Sequence, residues 1–189
     1  MKLTLLGTGC PSVDFKRCGS SNLICSKKTK ILVDCGSGVT QRLHQSGNSS
    51  ADIDALLLTH LHTDHVVDLY QLIISSWHSD RNTIWKIYGP KGTKKFIDKI
   101  FLAWKSEREL RISHEKRKSI NALKYKVYEF KRNGSIKILQ FKENINLNED
   151  VVNFIANESV IKNLHCLHIF PGSKFNSWHG ITHLCVKSF

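Results

Sequence analysis

The feature that most constrains this chain is a dense cluster of polar side chains directly after an apolar run. Residues 55–59 form a continuous, mainly apolar segment, and His60, His62, Asp64 and His65 follow it at once. A short apolar run of this kind is typical of a strand buried on both faces. The cluster therefore lies at the carboxyl end of a strand, and its side chains are expected at one edge of a sheet.

The spacing within the cluster suits metal binding. Residues two apart in an extended segment project to the same side, so His60 and His62 can bind one ion. Where the chain turns towards a helix, Asp64 and His65 can reach a second ion, and an oxygen of Asp64 can also hold or orient a bridging water. A lone histidine is more often a surface or core residue, but three histidines and an aspartate at this spacing predict a metal site. These donors suit zinc, and also iron or manganese.

Strands and helices alternate around the cluster, which predicts a layered α/β fold. We predict strands over 2–9, Ser21–Cys25, 30–34, 55–59, 83–88, 125–131 and 136–142, and helices over Val39–Gln45, 66–77 and 96–104. Gly89-Pro90 is expected to end the fifth strand, and Asn133-Gly134 suits a hairpin turn between the last two. The pattern indicates one domain over residues 1–143 and a divergent tail of uncertain fold over 144–189.

The net charge of +12 is concentrated in one third of the chain. Residues 81–143 hold 18 Lys and Arg against 6 Asp and Glu, whereas the remainder holds 10 against 10. Such a block suits a polyanion such as RNA, with Lys94, Lys95 and Lys99 as candidate contacts. A solvated helix face is the alternative interpretation.

The cysteines and the hydropathy of the sequence indicate the cellular location to expect. The six cysteines include no C-x-x-C pair and follow no secretory signal, so we expect reduced thiols and a cytoplasmic location. No apolar run approaches the roughly 20 residues that cross a bilayer, so no membrane role is expected.

The run from His60 to His65 resembles the H-x-H-x-D-H motif of the metallo-β-lactamase superfamily. The resemblance widens to 5–9, 34–41 and 54–72, which look like the ribonuclease Z and arylsulfatase-like branch. It covers about residues 1–115. The chain departs from that branch at Val39, where relatives carry Thr, and at Asp68, where they prefer Gly.

The resemblance implies a four-layer αββα sandwich with two zinc ions between its sheets and a metal-bound hydroxide as nucleophile. His60 and His62 would belong to the first metal, and Asp64 and His65 to the second. Asp34 would support a ligand by accepting a histidine N–H, although capping of the glycine-rich turn that follows it is an equal alternative.

The remaining superfamily ligands are a third histidine, a bridging aspartate and a last histidine, and they come from the second half of the sandwich. Here the last aspartate is Asp150, and the late histidines all follow it. His168 or His179 could supply a third ligand, and His114 with Asp150 is a weaker pairing. The second half of the sandwich is therefore expected to be incomplete.

Three functions remain open on these observations. The leading hypothesis is a metal-dependent, ribonuclease Z-like phosphodiesterase that acts on RNA, of the tRNA 3′-processing type. The second is a hydrolase of small anionic esters, arylsulfatase-like or a cyclic phosphodiesterase, which the departure at Asp68 favours. The third is a truncated, catalytically inactive fragment. A homodimer could complete the site, although nothing in the sequence indicates one.

Overall fold

The computed structural model describes residues 2–26 and 28–130, which are organised by one six-stranded sheet. Its strands, in spatial as well as chain order, are β1 Lys2–Gly7, β2 Ser21–Cys25, β3 Lys30–Val33, β4 Ala55–Leu57, β5 Trp85–Pro90 and β6 Tyr125–Phe130. The first three strands pair antiparallel, and β3 to β6 pair parallel. The carboxyl ends of β3, β4, β5 and β6 therefore share one edge of the sheet.

Helices link the parallel strands. They are α1 Val39–Gln45, α2 Thr63–Val66, α3 Leu69–His78, α4 Thr93–Ala103 and α5 Lys105–His114. The parallel connections need such crossovers because the chain must return to the same end of the sheet before each new strand. Each crossover leaves a loop at the carboxyl edge, where α/β proteins build their sites.

The sheet buries apolar side chains on both faces, which explains why its strands read as continuous apolar runs. Side chains alternate along each strand, so Leu32 joins the larger core with α1, α3 and α4, while Ile31 and Val33 join a second cluster on the opposite face. In β4, Leu56 belongs to the first cluster and Leu57 to the second.

Most of the predicted elements are confirmed. The strand Ser21–Cys25 and the helix Val39–Gln45 have the predicted bounds, and the predicted helix over 66–77 is present as α3, preceded by the separate short helix α2. The α/β class is also confirmed.

One expectation about the second half of this region was wrong, and one helix was not predicted. Gly89-Pro90 does not end the fifth strand, because β5 continues through both residues and Pro90 pairs with Phe130 of β6. Gly89 fits there because a side chain would collide with Thr93 Oγ1, 2.3 Å from the position of a Cβ. Helix α5 was not predicted because it buries no residue, so no apolar period marks it.

Several predictions concern residues outside the described ranges. They are the strand over 136–142, the Asn133-Gly134 hairpin and the tail over 144–189, together with any second sheet of the sandwich that these residues would form. Among the helices that the structure describes, none is both long and apolar enough to cross a membrane.

A buried arginine ties the end of the second crossover, between α3 and β5, to the loop that precedes β4. Arg81 is 4% exposed, and its guanidinium donates to the carbonyl oxygens of Ala51, Ile53, Thr83 and Ile84. It also lies over the Trp85 ring, 4.1 Å from the centroid. Burial lowers the pKa of Arg81 to about 10, which leaves it charged at neutral pH. Its donors pair the buried carbonyl of Ile53 and three partly buried loop carbonyls.

We expect Arg81→Met to lower the free energy of unfolding by about 2–4 kcal/mol, because one buried and three partly buried carbonyls lose charged donors at once. The measurement is urea denaturation followed by circular dichroism. Arg17→Met is the matched control, since Arg17 forms an exposed ion pair with Asp14 and its loss should cost less than about 1 kcal/mol. Equal effects of the two substitutions would contradict a structural role for Arg81.

Candidate metal centre

The histidine cluster lies in the short connection from β4 to α2. His60 follows the end of β4, and His62 is the extended residue that precedes the first turn of α2, with φ −70° and ψ 151°. Asp64 and His65 both lie in the single turn of α2. The strand end thus presents His60 and His62, and the helical turn adds Asp64 and His65.

The four side chains are close together and differ in exposure. The His60 ring centroid lies 4.6 Å from that of His62 and 4.0 Å from that of His65. Nε2 of His65 lies 3.5 Å from Oδ2 of Asp64. His65 is fully buried, His60 and Asp64 are half-buried, and His62 is exposed. The cluster therefore runs from the protein interior to solvent.

The carboxylate of Asp34, which directly follows β3, forms hydrogen bonds that hold this cluster in place. It accepts hydrogen bonds from the backbone N–H of Thr59 at 2.8 Å and from the Thr59 hydroxyl at 2.8 Å and 3.0 Å. Its Oδ2 also lies 2.7 Å from Nδ1 of His65. Asp34 is only 2% exposed, so these bonds replace the water that an ionised carboxylate would otherwise need.

Asp34 orients two imidazoles, and the positions of the hydrogen-bonding protons follow from its being an acceptor only. A carboxylate only accepts, so the single proton of the Thr59 hydroxyl points to Asp34. The hydroxyl oxygen, 3.0 Å from Nδ1 of His60, then accepts from that nitrogen. His65 donates Nδ1–H directly to Asp34 in the same way. In their neutral forms, both rings therefore carry the lone pair on Nε2, the nitrogen that can bind a cation.

Electrostatics favour the neutral form of one of these rings. Burial lowers the pKa of His60, and the neighbouring His65 lowers it further, while Asp34 acts in the opposite direction. A neutral imidazole is the form that binds metals, because a protonated ring has no lone pair to donate.

The backbone of Asp34 is held in an uncommon conformation. Its φ is 61°, a left-handed value that costs a residue with a Cβ of the order of 1 kcal/mol. The backbone N–H donates to Leu57 of β4 at 2.8 Å, and the carbonyl accepts from the Ser21 hydroxyl at 2.8 Å. Neighbouring strands on both sides thus fix the turn that aims the carboxylate at Thr59 and His65.

Glycines allow three backbone segments to stack beneath the cluster. A Cβ on Gly36 would lie 2.2 Å from the carbonyl oxygen of Asp64, and one on Gly19 would lie 2.3 Å from the nitrogen of Ser37. No side chain fits at either position. Cys35 also donates its N–H to the carbonyl of His65 at 2.7 Å. The turn after Asp34 is therefore in direct backbone contact with the helical turn that carries Asp64 and His65.

Asp68, which departs from the ribonuclease Z pattern, has a structural contact here. Its Oδ2 accepts from the N–H of Thr40 in the first turn of α1 at 2.7 Å, and its own N–H donates to the carbonyl of Cys35 at 3.1 Å. An acidic group at a helix N-terminus is favourable. The aspartate thus joins α1 to the start of α3.

The structure brings His60, His62, Asp64, His65 and Asp34 together, and it places the candidate lysines elsewhere. Lys94, Lys95 and Lys99 lie on α4, and His114 is exposed at the end of α5. His168, His179 and Asp150 lie outside the described residues. Within residues 2–26 and 28–130, no three His, Cys, Asp or Glu side chains are arranged to hold a metal ion by themselves. The described donors are therefore a partial set.

Thr59 was not identified from the sequence, although its position carried a signal. The parallel register pairs Val33 with Leu57, so the residues just beyond the ends of β3 and β4 must meet. Asp34 is the first residue after β3 and Thr59 is the second after β4, so the two lie within one residue of this register. A polar side chain at the carboxyl end of each of two adjacent parallel strands predicts such a contact once the strand pairing is known.

Comparison with known families gives one match over most of the chain. A family model described as "Anti-Pycsar protein Apyc1" matches residues 1–164. The ribonuclease Z of Mycolicibacterium gilvum is 41% identical over 118 residues, which are 60% of this chain and 41% of that protein. The ribonuclease Z of Mycobacterium marinum is 39% identical over 118 residues, 60% of this chain and 42% of the relative. The chain thus aligns with about four tenths of these curated relatives.

Solved structures agree on the fold. The short form of human tRNase Z superimposes with a TM-score of 0.50 at 29% identity, over 68% of this chain and 44% of that one. The metallo-β-lactamase fold protein YhfI from Bacillus subtilis gives a TM-score of 0.52 at 21% identity, over 71% of this chain and 46% of that one. The described sheet and helices therefore have the metallo-β-lactamase fold.

We expect Thr59→Val to weaken zinc binding about 10-fold, because Nδ1 of His60 loses its acceptor and Asp34 loses a donor. Isothermal titration of the metal-free protein with zinc measures this directly. Thr59→Ser keeps the hydroxyl and should restore most of the affinity. If the valine and serine variants bind zinc equally well, the hydroxyl does not orient His60.

Proposed function

Because the chain belongs to the anti-Pycsar protein Apyc1 family and has the ribonuclease Z-like metallo-β-lactamase fold, we propose that it is a metal-dependent phosphodiesterase. The observation that carries the proposal is the Asp34 carboxylate, which orients two imidazoles beside Asp64. A single buried histidine can be satisfied by one acceptor of its own, whereas here one carboxylate serves two adjacent rings, directly for His65 and through Thr59 for His60. A metal ligand does, since its unbound ring nitrogen must be held by a partner.

The donors fit zinc in their chemistry. His60, His62 and His65 offer imidazole nitrogens and Asp64 offers a carboxylate, and no sulfur lies among them. We assign His60 and His62 to one zinc ion and Asp64 and His65 to a second, with His168 or His179 as candidates for a further ligand. Zinc bound there would act as a Lewis acid, lowering the pKa of a water molecule and offsetting negative charge on a phosphoryl oxygen.

Side chains of the protein would accept the proton of the water molecule and hold the histidine rings in place. Asp64 is half-buried beside the exposed His62, so its carboxylate can accept a proton from a water molecule that enters from solvent. Asp34 holds the rings of His65 and, through Thr59, His60 in fixed orientations while this happens. Exposure increases across the cluster from the buried His65 to the exposed His62, so a substrate would approach from the His62 side.

RNA is the substrate class we favour. The curated relatives aligned with this chain are named ribonuclease Z, and the described part of the basic segment extends through α4 and α5 to β6. Phosphodiester backbones are attracted to such clustered Lys and Arg residues. Because the chain spans about four tenths of those relatives, this assignment rests on the site and the charge, and not on their whole-protein activity.

A small anionic ester, such as a cyclic phosphodiester, is the second candidate. The family match extends over residues 1–164, whereas the ribonuclease Z alignment spans 118 residues, so membership of the family does not by itself select RNA. The contact of Asp68 with α1 gives that residue a structural role, so its departure from the pattern favours neither substrate. Steep salt dependence of substrate binding would identify RNA, and weak dependence would identify the small ester.

We expect the purified protein to hydrolyse RNA or bis(p-nitrophenyl) phosphate, and to lose this activity on dialysis against a chelator. His62→Ala should lower kcat/KM on the order of 100-fold or more, because an exposed donor is removed without disturbing the Asp34 contacts. His44→Ala is the matched control, since His44 is exposed on α1 and should leave the rate unchanged.

Two results would contradict the proposal. One is hydrolysis that survives both the chelator and the His62→Ala substitution. The other is the absence of hydrolysis of either substrate from zinc-loaded protein, which would leave the inactive fragment as the correct description.

A further inference from the structure

A lysine-lined cleft opens beyond the end of β5, on the loop that leads into α4 and on α4 itself. It measures about 520 Å³ and is lined by Lys91, Gly92, Lys94, Lys95, Asp98, Lys99, Leu102 and Glu129. Gly92 is a neighbour of Leu61, the residue between His60 and His62, because a Cβ on Gly92 would lie 3.9 Å from Leu61 Cδ1. The cleft therefore continues from the same sheet edge that carries the cluster.

The two carboxylates of the cleft are engaged by groups of the protein. Glu129 accepts from the N–H groups of Gly92 at 3.0 Å and Lys94 at 2.8 Å, and so caps the start of α4. Asp98 accepts from the Lys94 ammonium at 2.7 Å and from the Tyr125 hydroxyl at 2.7 Å. Neither carboxylate forms an ion pair with the other lysines in the part of the chain that the structure describes.

Lys91, Lys95 and Lys99 supply the uncompensated charge of the cleft. All three are exposed, and among residues 2–26 and 28–130 none of them forms an ion pair. They recur every four residues, which places Lys95 and Lys99 about 6 Å apart along the axis of α4. Lys94 differs from them because its ammonium is paired with Asp98.

We propose that this cleft binds the phosphate backbone of an RNA strand whose reacting phosphodiester lies at the histidine cluster. The inference rests on the proposed function and adds a binding site to it. A row of unpaired ammonium groups follows a backbone by charge without reading bases. Leu102, which is 70% exposed at the far end of the cleft, offers an apolar surface to a base.

A row of charges favours a polymer over a small ester. A single small anion at the histidine cluster would be too short to engage both Lys95 and Lys99, which are one helical turn apart on α4. The cleft thus predicts that substrate length matters, and that the three lysines affect RNA and leave a minimal phosphodiester unaffected.

The test is the binding of a fluorescein-labelled single-stranded oligoribonucleotide, followed by anisotropy over a series of KCl concentrations. EDTA is present so that no turnover occurs. The triple variant Lys91→Glu, Lys95→Glu, Lys99→Glu should bind at least about 10-fold more weakly, and the slope of log affinity against log salt should flatten by about 2. Its hydrolysis of bis(p-nitrophenyl) phosphate, measured with zinc, should equal that of the wild type.

The matched control is Lys2→Glu, Lys116→Glu, Lys118→Glu, which changes net charge equally at exposed positions outside the cleft. Equal loss of RNA binding in both triple variants would overturn the cleft and indicate a general charge effect. Wild-type protein that hydrolyses the small phosphodiester but does not bind RNA would overturn the cleft while the hydrolase stands. If neither the wild type nor any variant shows hydrolysis that a chelator abolishes, the result would instead contradict the proposed function.

Discussion

The buried carboxylate of Asp34 is the contact on which the rest of the site depends. It joins the ends of two parallel strands through Thr59 and reaches into the following helix through His65. Placing an ionised group at 2% exposure is unfavourable unless every acceptor position is used, so the surrounding backbone cannot shift without breaking several bonds together. The left-handed φ of 61° at Asp34 and the closely stacked glycines lie in the same turn region and fix the backbone around this contact.

Much of the described fold could be predicted from apolar patterning, because each correctly predicted element buries a face. Strand β2 and helix α1 had the bounds expected from the sequence. Helix α5 could not be found in this way, since it contributes no buried residue. The continuation of β5 through Gly89 and Pro90 was also missed, because it depends on pairing with β6 and on the approach of Thr93, and both are tertiary contacts.

The candidate site was only partly accessible from the sequence. Its four adjacent side chains are visible in the spacing of residues 60–65, but the geometry that makes them a unit comes from Asp34 and Thr59, which lie 25 residues apart in the chain. The pairing of the lysines could not be predicted from their spacing in the sequence either. The sequence placed Lys94, Lys95 and Lys99 in one group because they are close along the chain. In the structure Lys94 forms an ion pair with Asp98, and the other two line one cleft together with Lys91. Net charge is a property of composition, but the charge available to a ligand is set by local pairing.

The central claim is that imidazoles oriented by Asp34 bind the metal. Zinc K-edge X-ray absorption of the zinc-loaded protein tests it most directly, because the method reports the atoms around the ion. The account predicts imidazole scattering with Zn–N distances of about 2.0–2.1 Å and no sulfur in the shell. A sulfur shell at about 2.3 Å, which would indicate cysteine ligands such as Cys18, or zinc that washes out of the protein during desalting, would contradict it.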